Sequence, residues 1–207
     1  MRALTVKEVL KKRRQTIPFE GPWADAFGQP ESTGVWFIWG RSGNGKTSFV
    51  MQLIAELCKY DRVAFDSLEE GDSLSMRQKL VRHGLGAAGS RLHLLNAEPM
   101  AELQERLSQR KSYNIVVIDS FQYTQMSYRD YIAFKERNKD KLIIFISHAK
   151  GTLPRGTAAE GVMYDATLKI WVEGFRAFSK GRFIGPTGAY TIWDEGAERY
   201  WGEKVQH

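Results

Sequence analysis

Apolar and polar positions divide the chain into alternating strand-like and helix-like segments. Residues 35–39 form an unbroken apolar, β-prone run, followed by a glycine loop and a helical pattern to about residue 59. Residues 62–66 predict a second strand and 73–83 a helix. A short strand is expected at 92–95 and a helix at 101–109. Residues 115–118 and 142–147 are continuous aliphatic runs, the pattern of strands buried on both faces of a parallel sheet. Beyond Gly161 the texture changes to short segments at 167–172, 175–179 and 189–193, joined by Gly and Pro. They predict antiparallel strands that extend the sheet. The expected fold class is α/β: a mostly parallel central sheet flanked by helices, with antiparallel strands towards the C-terminus. No internal repeat or low-complexity tract interrupts it.

Ahead of the first strand, Thr5-Val6-Lys7-Glu8 has the form of a capping box, in which each side chain satisfies the other residue's free backbone N–H. Val6, Val9 and Leu10 then line one face of a short helix that stops before Pro18. Residues 17–33 are rich in Gly and Pro and carry Phe19, Trp23 and Phe27. They predict an ordered lead-in, strapped across the core or onto a neighbouring subunit. The expected division is a basic helix and lead-in at 1–33 and one domain at 34–207, a size that suits a single α/β core.

Composition excludes several classes. Hydrophobic residues make up 43 % and charged residues 26 %, a globular rather than a disordered balance. The one cysteine, Cys58, has no internal disulfide partner, and no Cys/His cluster has zinc spacing, which suits a reducing cytoplasm. No signal-peptide pattern is present, and the apolar runs are too short to span a bilayer, so no membrane association is expected. The net charge of +6 is uneven. Arg2, Lys7, Lys11, Lys12, Arg13 and Arg14 against Glu8 alone put +5 into the first fourteen residues. Such a tail often meets nucleic acid or another acidic surface, and it also fits a solvated helix face.

The strongest chemical signal follows the first strand. Gly40-Arg41-Ser42-Gly43-Asn44-Gly45-Lys46-Thr47 matches the G-x-x-x-x-G-K-[ST] phosphate loop in full, between a strand and a helix. The glycines let backbone N–H groups curl around phosphates, and the helix beginning near Lys46 turns its positive end towards them. Lys46 is expected to reach the β- and γ-phosphates and the Thr47 hydroxyl to ligate Mg²⁺, with Ser48 completing the nucleotide-binding set. ATP and Mg²⁺ are the expected ligands.

Asp119 ends the strand at 115–118, where ligands bind in open α/β sheets, and is expected to support Mg²⁺. Its neighbour is Ser120 rather than the water-activating glutamate of many P-loop ATPases. The end of the second strand offers Asp66, Glu69 and Glu70 for that role, and composition does not choose between them.

These residues together resemble the RecA superfamily of P-loop ATPases, in particular its DnaB/RadA-like branch. Ser67-Leu68-Glu69 resembles the segment that ends the second core strand in DnaB-type helicases, with Met76-Arg77 following at similar spacing. The resemblance makes Glu69 the catalytic glutamate. Ile146-Ser147-His148 resembles the strand end that carries a polar γ-phosphate sensor, usually Gln in DnaB-like and His in RadA-like proteins. Ser179-Lys180-Gly181-Arg182-Phe183, then Gly185-Pro186-Thr187-Gly188, is similar to a K-x-R-F-G-P-T-G segment of both families. There the Lys and Arg reach the neighbouring subunit's ATP site. Ile184 is one residue more than that segment contains. The similarity spans residues 35–193 and implies a RecA-like ATPase in a homo-oligomer, ring or filament, with Lys46, Glu69, His148, Lys180 and Arg182 as catalytic residues. No counterpart of the helicase N-terminal domain or of the RadA protease-like domain is seen, so the expectation is a compact RecA-core protein of the phage or mobile-element type.

Residues 149–157 occupy the place of the second DNA-binding loop of RecA-like proteins. Lys150 and Arg155 offer charge there, and Gly and Thr offer backbone and hydroxyl donors for phosphate contacts. Phe121, Tyr123 and Tyr128 follow the strand of Asp119, where rings either stack on bases or belong to the core. The expected output is work on single-stranded DNA in recombination, repair or replication. The alternative is a KaiC-like oligomerisation switch or scaffold without motor activity.

Overall fold

A computed structural model describes residues 3–202, so Arg2 of the basic tail lies outside the described residues. The chain begins with α1 (Val6–Lys11), α2 (Gly21–Phe27), β1 (Gly34–Gly40), α3 (Lys46–Leu57), β2 (Val63–Ser67) and α4 (Leu74–Arg82). It continues through β3 (Leu92–Leu95), α5 (Met100–Ser108), β4 (Ile115–Asp119), α6 (Tyr128–Arg137), β5 (Leu142–Lys150) and β6 (Leu153–Pro154). It closes with α7 (Thr157–Asp165), β7 (Leu168–Glu173), β8 (Arg176–Ser179), β9 (Ala189–Thr191) and α8 (Asp194–Trp201). The sheet order is β3-β2-β4-β5-β1-β7-β8-β9, and β6 folds back on β5.

The strands expected as continuous apolar runs lie at the middle of the sheet and are buried on both faces. On β1, Trp36 and Ile38 face one layer while Val35, Phe37 and Trp39 face the other. Residues of α3 and the lead-in (Ile17, Phe19, Trp23, Phe27) fill the first layer. Those of α5, α6 and α7 fill the second. The lead-in therefore straps across its own core. Ile17 N donates to Pro30 O at 2.8 Å, and Trp23 stacks on Tyr190 with ring centroids 4.2 Å apart. α1 has the expected capping box but buries none of its residues, and Val6 and Leu10 are exposed.

One expectation needs correction. Of the three C-terminal segments, β7 pairs with β1 in parallel, and the antiparallel pairings are β7–β8 and β8–β9. The reason is α7, a helix not anticipated in the glycine-bearing stretch, whose crossover returns the chain to the same end of the sheet. α2, α6 and α8 were also unanticipated. Pro22 sits at the start of α2, where a missing N–H costs nothing. Ser127 and Asp130 form a capping box on α6. Among the described residues no helix is long and apolar enough to cross a membrane.

Candidate nucleotide site

The parallel strands end together and build the floor of a cavity of about 390 Å³. Gly40 at the end of β1 lies so close to β7 that a Cβ would sit 2.4 Å from the Val172 carbonyl oxygen. The chain then turns through Gly43 (φ 76°) and Gly45 (φ 91°), left-handed conformations that favour glycine. α3 starts directly afterwards at Lys46, which directs its first amides and dipole at the hollow. Arg41, Ser42, Gly43, Gly45, Lys46, Thr47 and Ser48 line the cavity. Asn44 holds the loop from behind. Its Oδ1 accepts from Gly174 N at 2.9 Å, and its carbonyl accepts from Phe175 N at 3.1 Å. The β7–β8 turn is thus a buttress for the loop, and Phe175 itself lines the cavity.

Opposite the loop stand Glu69, Asp119 and His148. Asp119 is the last residue of β4, in register with Ser67 of β2 and Ile146 of β5. Burial pushes its carboxyl above the usual carboxylate range, and the Lys46 ammonium draws it back. The Asp119 carbonyl accepts from Leu68 N at 2.7 Å and so ties the turn that carries Glu69 to β4. His148 Nε2 lies 3.3 Å from Glu69 Oε2.

Of the three acids left open by composition, Glu69 and Glu70 line the cavity and Asp66 does not. Glu69 is free to face the cavity apart from His148. Glu70 is held by an ion pair with Lys79 of α4. Asp66 is fully buried and turned away: its Oδ1 accepts from Glu98 N at 3.0 Å, and burial raises its carboxyl to about 6.

Lys180 and Arg182 are not brought to this cavity. β8 runs away from it, and at its far end Lys180 N donates to Lys169 O (2.7 Å) and Arg182 N to Thr167 O (3.3 Å). Those acceptors lie at the start of β7, whose other end touches the phosphate loop. At about 3.3 Å per strand residue, the backbones of Lys180 and Arg182 lie roughly 13 Å and roughly 20 Å from the end of β7 that touches their own chain's loop.

Sequence reasoning missed Gln122. Its Oε1 accepts from His148 N (3.2 Å), and its Nε2 donates to Ser147 Oγ (2.8 Å) and Arg155 O (2.9 Å). One amide thereby joins the end of β5 to the following hairpin. That hairpin, β5–β6, is what the expected loop at 149–157 becomes. Its turn is bound to the phosphate-loop region, with Trp39 Nε1 donating to Thr152 O (2.9 Å) and Arg41 Nε to Gly151 O (3.1 Å). Lys150, Leu153 and Arg155 are exposed. Of the three rings offered for stacking, Phe121 belongs to the core, edge-on to Phe145. Tyr123 and Tyr128 are exposed, and the Tyr128 ring rests on Gly161 of α7.

The donors suit Mg·ATP. The left-handed glycines and helix start form a phosphate cradle, and Mg²⁺ is commonly held by one or two protein oxygens together with phosphates. The Thr47 hydroxyl and the Asp119 carboxylate offer that number.

No family model matches the chain, and no curated protein matches its sequence significantly. Solved structures do match. A KaiC-like protein from Pyrococcus horikoshii superimposes with a TM-score of 0.62 at 16 % identity, covering 86 % of this chain and 98 % of that one. The flagellar accessory protein FlaH from Methanocaldococcus jannaschii gives 0.58 at 17 %, covering 87 % and 92 %. The ATPase domain of G40P gives 0.50 at 14 %, covering 76 % and 78 %. At such identities the likeness is one of fold, and the fold is the RecA-like P-loop architecture.

Proposed function

We propose that this chain hydrolyses ATP in a homo-oligomer whose sites are shared between subunits, and that turnover is coupled to single-stranded DNA. The observation that carries the shared site is the separation of its parts. The phosphate loop, Glu69, Asp119 and His148 meet at one end of the sheet, while Lys180 and Arg182 stand exposed at the other. Within one chain they cannot meet across a strand length. Between chains stacked head to tail they can.

In this reading the loop amides and Lys46 bind and orient the β- and γ-phosphates. Thr47 and Asp119 hold Mg²⁺, which when bound supplies charge neutralisation at the phosphates. Glu69 orients the attacking water and accepts its proton, and His148 senses the γ-phosphate from the end of β5. Arg182, with Lys180, enters from the next subunit and stabilises charge that develops in the transition state. The β5–β6 hairpin presents Lys150 and Arg155 to phosphates of the DNA; Trp39 and Arg41 link it to the phosphate-loop region, and Gln122 links it to the end of β5.

Mixed subunits test the shared site. Arg182→Ala leaves the chain's own pocket intact, and Glu69→Gln leaves its basic residues intact. Each alone should be nearly inactive, and their mixture should recover turnover at mixed interfaces. A mixture that co-assembles yet stays inactive refutes the shared site. Turnover in the presence of single-stranded DNA tests the coupling. Marked stimulation supports it; slow turnover indifferent to DNA supports an ATP-dependent assembly switch instead.

A further inference from the structure

The last turn of α2 ends against the loop that carries Lys180 and Arg182. Gly185 N donates to Ala26 O at 3.1 Å. Thr187 N (2.9 Å) and Gly188 N (3.2 Å) both donate to Asp25 O, and Thr187 Oγ1 adds a third bond to that oxygen at 2.9 Å. The final carbonyls of a helix have no partner within it. Here they are taken by a loop more than 150 residues later in the chain.

The approach is tight as well as bonded. A Cβ on Gly185 would lie 2.1 Å from Ala24 O and 2.4 Å from Asp25 O, so only glycine fits. α2 is itself immobilised by Phe27, fully buried, and by Trp23 stacked on Tyr190 of β9. The opposite flank of the loop is pinned to the start of β7 through Lys180 N and Arg182 N. The loop backbone is thus gripped from two sides while the Lys180 and Arg182 side chains remain exposed. Ile184, the additional residue, forms an outward corner at 58 % exposure.

We infer that the last turn of α2 is a positioning element for catalysis in the neighbouring subunit: it sets where Lys180 and Arg182 are presented. Placement of a charged group matters because a misplacement of about 1 Å costs on the order of a hundredfold in rate. The inference rests on the shared-site reading above. It adds that the lead-in, which lines no part of its own cavity, determines the rate at a site on another chain.

The test uses Gly185→Ala, which forces the loop off α2, and Thr187→Val, which removes the hydroxyl's bonds to Asp25 O and Ala189 while keeping the shape, with Thr187→Ser as the conservative rescue. Both disruptive variants should bind ATP as the wild type does and lose kcat rather than KM, by on the order of a hundredfold for Gly185→Ala. Thr187→Val should lose less, and Thr187→Ser should restore the rate. Mixed with Glu69→Gln, Gly185→Ala should regain turnover, because its own pocket is whole. Mixed with Arg182→Ala it should not, because neither partner presents the basic pair correctly. Wild-type kcat in both disruptive variants overturns the inference. So does a defect that Glu69→Gln fails to rescue while the Arg182→Ala and Glu69→Gln mixture recovers, since the damage then lies in the variant's own pocket. Should Gly185→Ala fail to melt cooperatively, Thr187→Val decides by the same mixtures. If the Arg182→Ala and Glu69→Gln control itself stays inactive after co-assembly, the shared site has failed first, and the two failures are distinguishable.

Discussion

His148 Nε2 stands 3.3 Å from Glu69 Oε2, although β4 separates the strands from which they project. The proposed sensor and the proposed base are therefore one unit across the cavity, opposite the phosphate loop. Glu69→Gln retains a group able to contact His148 but removes the proton acceptor. Single-turnover assays should show nucleotide binding preserved and hydrolysis slowed about a hundredfold or more. Glu70→Gln should be milder, because that carboxylate is committed to Lys79. A crippled Glu70→Gln beside an active Glu69→Gln would reverse the assignment.

Lys46 lines the cavity at the first position of α3, and its charge acts on Asp119. Lys46→Ala should melt close to the wild-type temperature and lose productive Mg·ATP binding, measured by titration calorimetry. Undiminished affinity would show that phosphates bind elsewhere.

Gln122 touches neither the phosphate loop nor any proposed reacting atom, yet it bonds His148 N, Ser147 Oγ and Arg155 O. Gln122→Ala should leave ATP affinity unchanged and lower both kcat and the stimulation by single-stranded DNA. Loss of basal rate with full proportional stimulation would mean that Gln122 supports the sensor strand without linking it to the hairpin.

Asp66 titrates near 6 in the folded protein against an ordinary value of 3.8, because burial disfavours its charge. The folded state then holds the proton more tightly than the unfolded state. Its stabilising contribution is full below about pH 4 and falls as pH rises through about 6. A rise of that size corresponds to about 3 kcal/mol at most. Asp66→Asn, which cannot ionise, should flatten this slope, so urea melts at pH 4 and pH 7 should differ less than in the wild type. An unchanged pH dependence would place the titration elsewhere.

Residues 1–14 carry most of the net charge, and α1 buries nothing. Deleting them should leave the melting temperature nearly unchanged, since the core strap begins at Ile17. The salt dependence of single-strand binding should become shallower, by about 0.7 in logarithmic slope for each phosphate that the tail neutralises. An identical slope would assign the tail to a solvated helix face.

What the sequence by itself determined was local. The phosphate loop, the position of Asp119 and the central strands follow from spacing along the chain, because a glycine turn, a strand end and a helix start are each specified by neighbouring residues. The surroundings of the three acids were not local. They depended on Glu98 reaching Asp66 from the turn after β3 and on Lys79 reaching Glu70 from α4. Likewise Lys180 and Arg182 are a basic pair in the sequence, but their place at the far end of the sheet follows from β7 running parallel to β1 and β8 turning back. The grip of Asp25 on Thr187 joins residues 162 positions apart and has no trace in either segment's composition. Such bonds exist only after burial has brought distant backbone groups out of water, where each unpaired donor or acceptor must find a partner; it was the tertiary structure that decided which partner each one met.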